Sequence, residues 1–217
     1  MTTLAVLCPT YKRPHKLQGV VDNLKEATKN SYTLYFGVEP EDAASYEAAM
    51  ATGAKVVINT GRMGYSDTIQ TMYELSKEPF LWHGNDDFFY LPNWDEQPIA
   101  MFERPEVMVV GCRQTPTDES FSAVSFIRRK YIEEQSGVID MPNRLFYPYN
   151  HNYQDTEMTQ TAQARNVWAK CDAPCIDHQH PGFNGGAKDE TYRKNDATVG
   201  LDERTFESRK RLWQNIS

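Results

Sequence analysis

Over the first half of the chain, apolar residues fall into short runs separated by polar turns rich in Pro and Gly. Leu4–Cys8 is continuously apolar and is ended by Pro9, the pattern of a strand buried on both faces. Pro14 suits a first helical turn. Leu17, Val20, Val21, Leu24 and Ala27 then recur at three and four residues and predict a helix with one apolar face. Thr33–Val38 predicts a second strand, the acidic, Ala-rich stretch from Pro40 to about Met50 a second helix, and Lys55–Ile58 a third strand. Ser66 is the expected N-cap of a helix carrying Ile69, Met72, Tyr73 and Leu75. Phe80–His83 and Val107–Gly111 predict a fourth and a fifth strand, with a short helix over Asn93–Phe102 between them.

Strand and helix thus alternate, which predicts an α/β fold: a Rossmann-like, mainly parallel central sheet flanked by helices. In such sheets ligands bind beyond the carboxyl ends of the strands. Four segments sit there: Pro9-Thr10-Tyr11-Lys12-Arg13, Glu39, Asn59-Thr60-Gly61-Arg62 and Gly84-Asn85-Asp86-Asp87. The second half is less regular. Ala123–Ile127 predicts a strand, Arg128–Gln135 and Thr156–Arg165 helices, and Cys175–His180 an extended stretch. Met141–Asn152 reads as loop, Pro181–Lys188 as a glycine-bearing flexible loop, and Asp202–Trp213 as a charged C-terminal helix. No repeat or linker divides the chain, so residues 1–217 are expected to form one domain.

Composition narrows the classes. The chain has 217 residues, 40% hydrophobic and 24% charged, which excludes a long disordered chain. No apolar run approaches the ~20 residues of a membrane span. The first residues lack a basic segment before the apolar stretch, so no secretory signal is expected. With Cys8, Cys112, Cys171 and Cys175 as the cysteines, a reducing, cytoplasmic setting is expected. The net charge of −7 argues against an extended nucleic-acid footprint, although a local basic patch could still touch phosphate.

Four constellations carry chemistry. Asp86 and Asp87 follow the fourth strand, where hard oxygen ligands suit Mg²⁺ or Mn²⁺ carrying a diphosphate; the plainer reading is a polar turn. Asp155 and Glu157 open a predicted helix, as a general base or as acidic first-turn residues. His178 and His180 would share a face of an extended segment and bind a divalent metal. Alternatively Cys171, Cys175, His178 and His180 form a zinc site. In the first loop Thr10, Tyr11 and Arg13 offer a hydroxyl, a ring and a cation to a nucleotide, and Arg62, between Gly61 and Gly64, could reach phosphate.

The order of these features resembles the GT-A glycosyltransferases, near the inverting family 2. The residues that carry the likeness are Cys8-Pro9-Thr10-Tyr11-Lys12-Arg13-Pro14, Glu39, Asn59-Thr60-Gly61-Arg62, Asn85-Asp86-Asp87, Pro92-Asn93-Trp94, and Asp155 and Glu157 ahead of Arg165, a span from about Leu4 to His180. The resemblance implies a metal-dependent inverting transferase moving a sugar from a nucleotide-sugar donor to a hydroxyl on a glycan, protein, lipid or modified DNA base. Pro9, Thr10, Tyr11, Arg13, Glu39, Gly61, Arg62, Asp86 and Glu157 would bind substrates, and Asp155 would be the base. Asp87 with His178 or His180 would hold Mn²⁺ or Mg²⁺. Residues 1–111 would be the nucleotide-sugar half and 112–217 the acceptor half, ending in a lid and a helix. The short chain suggests a soluble enzyme of bacterial or phage type. The competing readings are a sugar nucleotidyltransferase on a related sheet and a non-catalytic zinc-binding module.

Overall fold

A computed structural model describes residues 4–61, 64–115, 124–184 and 188–216. The strands are β1 (Leu4–Thr10), β2 (Tyr32–Val38), β3 (Lys55–Ile58), β4 (Phe80–His83), β5 (Phe88–Tyr90), β6 (Val109–Thr115), β7 (Ser125–Arg128) and β8 (Trp168–His178). The helices of the first half are α1 (Leu17–Ala27), α2 (Ala43–Ala51), α3 (Tyr65–Leu75) and α4 (Glu96–Met101). Those of the second half are α5 (Arg129–Glu134), α6 (Gln154–Ala164), α7 (Pro181–Asn184), α8 (Glu190–Asp196), α9 (Val199–Arg209) and α10 (Arg211–Gln214). Among the described residues no helix is long and apolar enough to cross a membrane.

The strands form an eight-stranded sheet in the order β3-β2-β1-β4-β7-β6-β8-β5. β1 pairs in parallel with β2 and β4, β2 with β3, and β6 with β8, whereas β7 is antiparallel to β4 and β6 and β5 is antiparallel to β8. All strands but β5 and β7 therefore run the same way, and their carboxyl ends share one edge. The chain winds outward from β1 through β2 to β3, then crosses back to β4. That reversal opens a crevice between β1 and β4.

β1 is buried along its length because both flanks are paired and both faces are covered. Its alternation divides the core. Leu4, Val6 and Cys8 pack with Leu17, Val20 and Leu24 of α1, whereas Ala5 and Leu7 pack with Ile69 and Met72 of α3 and Met158 of α6. α3 lies so close to β2 that a Cβ on Gly37 would stand 2.5 Å from Thr68 Cγ2. Only glycine fits there.

Several sequence expectations need correction. The helix expected to start at Ser66 starts at Tyr65. Gly64, at φ 132°, occupies the cap position that only glycine adopts readily, and Ser66 Oγ is buried in the first turn. The extended stretch expected over Cys175–His180 is the end of a much longer β8, and β5 was not foreseen. Pro181–Asn184, expected as loop, forms a helical turn. The helix expected over Asp202–Trp213 is two, α9 and α10, and α8 precedes them as a further helix.

Candidate active site

The shared edge gathers the candidate residues. Thr10 ends β1 and Tyr11 and Arg13 follow it, Glu39 follows β2, Asn59 and Gly61 follow β3, Asp86 and Asp87 follow β4, Gln114 is the penultimate residue of β6, and His178 ends β8. The two aspartates have different fates. Asp86 Oδ2 accepts from Thr10 Oγ1 at 2.8 Å and Oδ1 from the Arg13 guanidinium at 2.6 Å. Full burial beside Asp87 pushes the Asp86 carboxyl upward, against the pull of Arg13. Asp87 Oδ2 accepts from the Tyr192 hydroxyl, which α8 carries in from the C-terminal segment. Burial alone would raise Asp87, but with the His178 ring protonated, hydrogen bonding and charge from His178, Tyr192 and Arg13 outweigh it and hold the carboxyl well below the usual range.

Asp87 Oδ1 is buried without a hydrogen-bond partner. It faces His178 Nε2 at 3.5 Å. His178 Nδ1 lies 3.1 Å from Gln114 Oε1, an atom that can only accept, so the ring hydrogen sits on Nδ1. In the neutral ring, Nε2 then turns a lone pair toward the Asp87 oxygen. Two acceptors facing each other in a buried place suit a cation, and this nitrogen–carboxylate pair suits a divalent one. His180 is disposed otherwise. Its ring centroid is 5.4 Å from that of His178, but its Nδ1 accepts from Gly182 N at 3.0 Å, which puts the ring hydrogen on Nε2. Among the described residues no three His, Cys, Asp or Glu side chains gather to hold a metal, so further ligands would come from substrate and water. The zinc alternative fails on the same ground: Cys171 and Cys175 are packed in the core with Cys112, whereas His178 and His180 line the cleft.

Two cavities open on this edge. The first, about 150 Å³, is walled by Pro9, Thr10, Tyr11, Arg13, Glu39 and Asp86, with Gly64 rather than Gly61. Lys194 and Thr191 of α8 close it. Glu39 lines this cavity and also clamps the turn after β3, accepting from Asn59 Nδ2, Gly64 N and Thr68 Oγ1, each at 3.0 Å. Gly61 donates to Asn59 Oδ1 at 2.9 Å and so serves that turn. Arg62 lies outside the described residues. The first loop is shaped by Lys12 at φ 55°, whose amide donates to Asp42 Oδ2 at 2.5 Å.

The second cavity, about 450 Å³, is bordered by His178, His180, Gln114 and Asp155. Tyr65, Asn85 and His151 line both cavities and mark their junction. Ser125 N donates to His83 Nε2 at 3.0 Å, so His83 carries its hydrogen on Nδ1, 3.1 Å from Tyr65 Oη, and Tyr65 donates onward to Gly84 O at 3.2 Å. Burial lowers His83 to about 3 and His151 to about 4, so both rings are neutral at pH 7. The loop bearing His151 is held by Asp202 of α9, which accepts from Asn150 N, Asn150 Nδ2, His151 N and Asn152 N at 2.8–3.0 Å.

Asp155 lies in the first turn of α6, where Tyr153 at φ 72° turns the chain into the helix. Its carboxylate accepts from Thr156 N at 2.8 Å and borders the second cavity. Glu157, expected to contact substrate, does not border either cavity. Two residues further round the helix it points inward, where Oε2 accepts from Tyr149 Oη at 2.7 Å and both oxygens accept from Arg209, itself paired with Asp140. Arg165 likewise turns away, to Tyr131 Oη at 3.1 Å. Tyr65, His151 and Tyr192 escaped the sequence reading. Only the density of Tyr, Asn and Pro before Asn152 hinted at His151.

No family model matches the chain, and no curated protein matches it in sequence. Solved structures match its fold. Glucosyl-3-phosphoglycerate synthase from Mycobacterium tuberculosis, in complex with Mn²⁺, UDP-glucose and phosphoglyceric acid, aligns at TM-score 0.70 and 11% identity over 96% of this chain and 79% of that one. The same synthase with Mn²⁺, UDP and glucosyl-3-phosphoglycerate aligns at 0.65 and 11% identity, over 82% of this chain and 72% of that one. A mannosyltransferase from Pyrobaculum calidifontis, in complex with GDP-mannose and Mn²⁺, aligns at 0.66 and 14% identity, over 85% of this chain and 59% of that one. The chain thus has the mixed α/β, Rossmann-like fold of these glycosyltransferases, as its sequence pattern predicts.

Proposed function

We propose that the protein is a metal-dependent inverting glycosyltransferase that moves a sugar from a nucleotide-sugar donor to a hydroxyl acceptor. The observation that carries this reading is the Asp87–His178 pair, a buried carboxylate oxygen facing a part-buried imidazole nitrogen at 3.5 Å, beside a cavity with cations and a cavity with a carboxylate. The shared fold, with Mn²⁺ and nucleotide sugars in the matched structures, supports it.

The first cavity takes the donor. Tyr11 offers a ring to the base, and Arg13 and Lys194 supply positive charge for the diphosphate. Asp86 keeps Arg13 in place and shapes the floor. Asp87 and His178 hold Mn²⁺ or Mg²⁺, with His180 outside the inner set. Held there, a divalent ion would supply charge to offset the negative charge that grows on the leaving diphosphate. Tyr65, Asn85 and His151 surround the junction where the anomeric carbon would sit. Asp155 receives the proton of the acceptor hydroxyl as that oxygen bonds to the anomeric carbon. The bond from the anomeric carbon to the phosphate oxygen breaks on the other side, its electron pair leaving with the nucleoside diphosphate.

Calorimetry of UDP and GDP with the protein, with and without Mn²⁺, tests the reading. Binding is expected to depend on Mn²⁺ and to be lost in Asp87→Ala and reduced at least tenfold in His178→Ala. Nucleotide affinity indifferent to Mn²⁺, or unchanged in Asp87→Ala, refutes it.

A further inference from the structure

We infer that a third cavity, at the amino-terminal end of β4, binds a phosphate-bearing anion. The site is independent of the proposed function. β4 starts there at Phe80 and ends at His83, ahead of Asp86 and Asp87 on the opposite edge of the sheet. The cavity, about 320 Å³, is lined by Lys77, Arg128, Arg129 and Lys130, with Glu133 as its carboxylate. Such a gathering of cations runs against the net charge of −7 on the chain. The fold assembles it: β7 is antiparallel to β4 and sets Arg128 opposite Phe80, and Arg129 follows at the start of α5.

The two guanidinium groups are held in place but not neutralised. Arg128 donates from Nε to Val107 O at 2.8 Å and from Nη2 to Phe102 O and Arg104 O. Arg129 donates from Nε to Glu78 O at 2.8 Å, from Nη1 to Tyr73 O at 3.3 Å and from Nη2 to Ser76 Oγ at 2.5 Å. Each of these acceptors is a backbone carbonyl or a hydroxyl. Among the described residues neither arginine forms an ion pair with a carboxylate. Phe80 and Phe102 stack at 4.7 Å, and the Arg128 guanidinium lies 5.6 and 4.9 Å from their centroids. Burial pushes Arg128 below its usual range, the mark of a charge without a counter-charge. Its bonds leave both hydrogens of Nη1 for a ligand. Lys77 is exposed, and Lys130 meets Glu134 at 3.5 Å in an exposed pair that solvent screens. Two fixed guanidinium groups flanked by two ammonium groups match a group with several acceptor oxygens and more than one negative charge, a phosphate rather than a carboxylate. Pro79 and Phe80 give an apolar floor for the organic part of such a ligand. A soluble phosphate ester and the phosphate of a lipid head group share this chemistry.

The test is NMR titration of the whole protein with inorganic pyrophosphate, at fixed ionic strength and with EDTA to keep metal from the opposite edge. The amides of Lys77, Phe80, Arg128, Arg129 and Lys130 are expected to shift together, and pyrophosphate should bind at least tenfold tighter than acetate. Lys77→Glu combined with Lys130→Glu changes two exposed positions and leaves the arginine contacts in place. The double variant should bind pyrophosphate at least tenfold more weakly, with wild-type Tm and, in separate samples with Mn²⁺, wild-type affinity for UDP. Glucose 6-phosphate and phosphatidylglycerol vesicles then identify the source. Shifts of the same amides with glucose 6-phosphate point to a soluble ester. Co-sedimentation with phosphatidylglycerol vesicles, absent with phosphatidylcholine and lost in the double variant, points to a lipid head group. Pyrophosphate shifts confined to the opposite edge, acetate binding as tightly as pyrophosphate, or wild-type pyrophosphate affinity in the double variant overturns the inference. The UDP titration of the wild type judges the proposed function separately, because it reports on the other end of β4.

Discussion

Asp155 and Glu157 stand two residues apart on one helix and should respond to neutralisation in opposite ways. Asp155→Asn keeps the side chain's size and an oxygen that can accept from Thr156 N. Losing its charge near a helix start costs below about 1 kcal/mol. Its cost in turnover is the loss of a base, about 10²–10⁴-fold in kcat, or roughly 2.7–5.5 kcal/mol of barrier. Glu157→Gln leaves the base untouched but takes a buried charge from Arg209, with which Glu157 makes contacts at 2.8–3.2 Å. Breaking a buried pair costs about 3–5 kcal/mol. Arg209 keeps Asp140 at 2.7 Å, and the new amide keeps one acceptor, so about 2–3 kcal/mol is expected. For a chain of this size that is a fall of roughly 4–12 °C in Tm. The assays are release of UDP or GDP from nucleotide sugars with Mn²⁺ and a glycoside acceptor, and thermal unfolding of both variants. Full turnover in Asp155→Asn, together with lost turnover at unchanged Tm in Glu157→Gln, would refute the reasoning and move the base to Glu157.

Three further outcomes follow from the same geometry. Tyr192→Phe removes the hydroxyl that competes for Asp87; a hydrogen bond to a charged group is worth about 1.5–3 kcal/mol, so Mn²⁺ affinity should rise by roughly ten- to hundredfold in a metal titration, and a weaker affinity contradicts the competition. His83 and His151, lowered to about 3 and about 4, should show neutral-imidazole ¹⁵N shifts down to pH 5, with His83 protonated at Nδ1. The unfolded chain takes up these protons near pH 6.5, so stability should fall as pH drops from there toward 4; a ring titrating near pH 6 in the folded protein contradicts this. Asp202 is pulled below the usual carboxylate range: the backbone amides of Asn152, Asn150 and His151 outweigh its burial. Its contribution is present above about pH 4 and lost as pH falls through its folded value, so the gap in urea midpoint between wild type and Asp202→Asn should be wide at pH 7 and narrow as pH falls below the usual carboxylate range.

The first half of the fold was legible because its elements declare themselves locally. β1, β2 and β4 are apolar runs, and α1 shows its buried stripe at Leu17, Val20, Leu24 and Ala27. Their carboxyl ends followed from the parallel pattern, so Thr10, Arg13, Glu39, Asp86 and Asp87 could be named together. The division of labour between the two aspartates could not. It depends on Arg13 and Thr10 turning to one and Tyr192, 105 residues away, turning to the other. β8 was hidden for a related reason. Lys170, Asp172 and Pro174 break its apolar pattern, yet the strand passes through a register shift opposite Cys112 and Arg113, where a proline is tolerated. Glu157 was misread because sequence adjacency to Asp155 says nothing about helical facing.

The small size of the first cavity bears on how the C-terminal segment works under the proposed function. About 150 Å³ is well below the roughly 300–1,000 Å³ of small-molecule sites, so a nucleoside diphosphate needs α8 to yield. The contacts that hold α8 are uneven. Lys12–Glu190 is an exposed pair that solvent screens and so holds weakly, and Thr191 reaches the Tyr11 carbonyl at 3.2 Å through one hydroxyl. The stronger ties are Arg13 to Asp189 at 2.8 Å and Tyr192 to Asp87. Both end on residues that the donor and its cation would engage. The ligand therefore competes with the very bonds that close its cavity: a diphosphate draws on Arg13, and a cation on Asp87. Each contact the ligand takes over weakens the hold on α8, so entry of the donor and displacement of the segment are one coupled step, and Tyr192 is the residue through which metal binding is felt there.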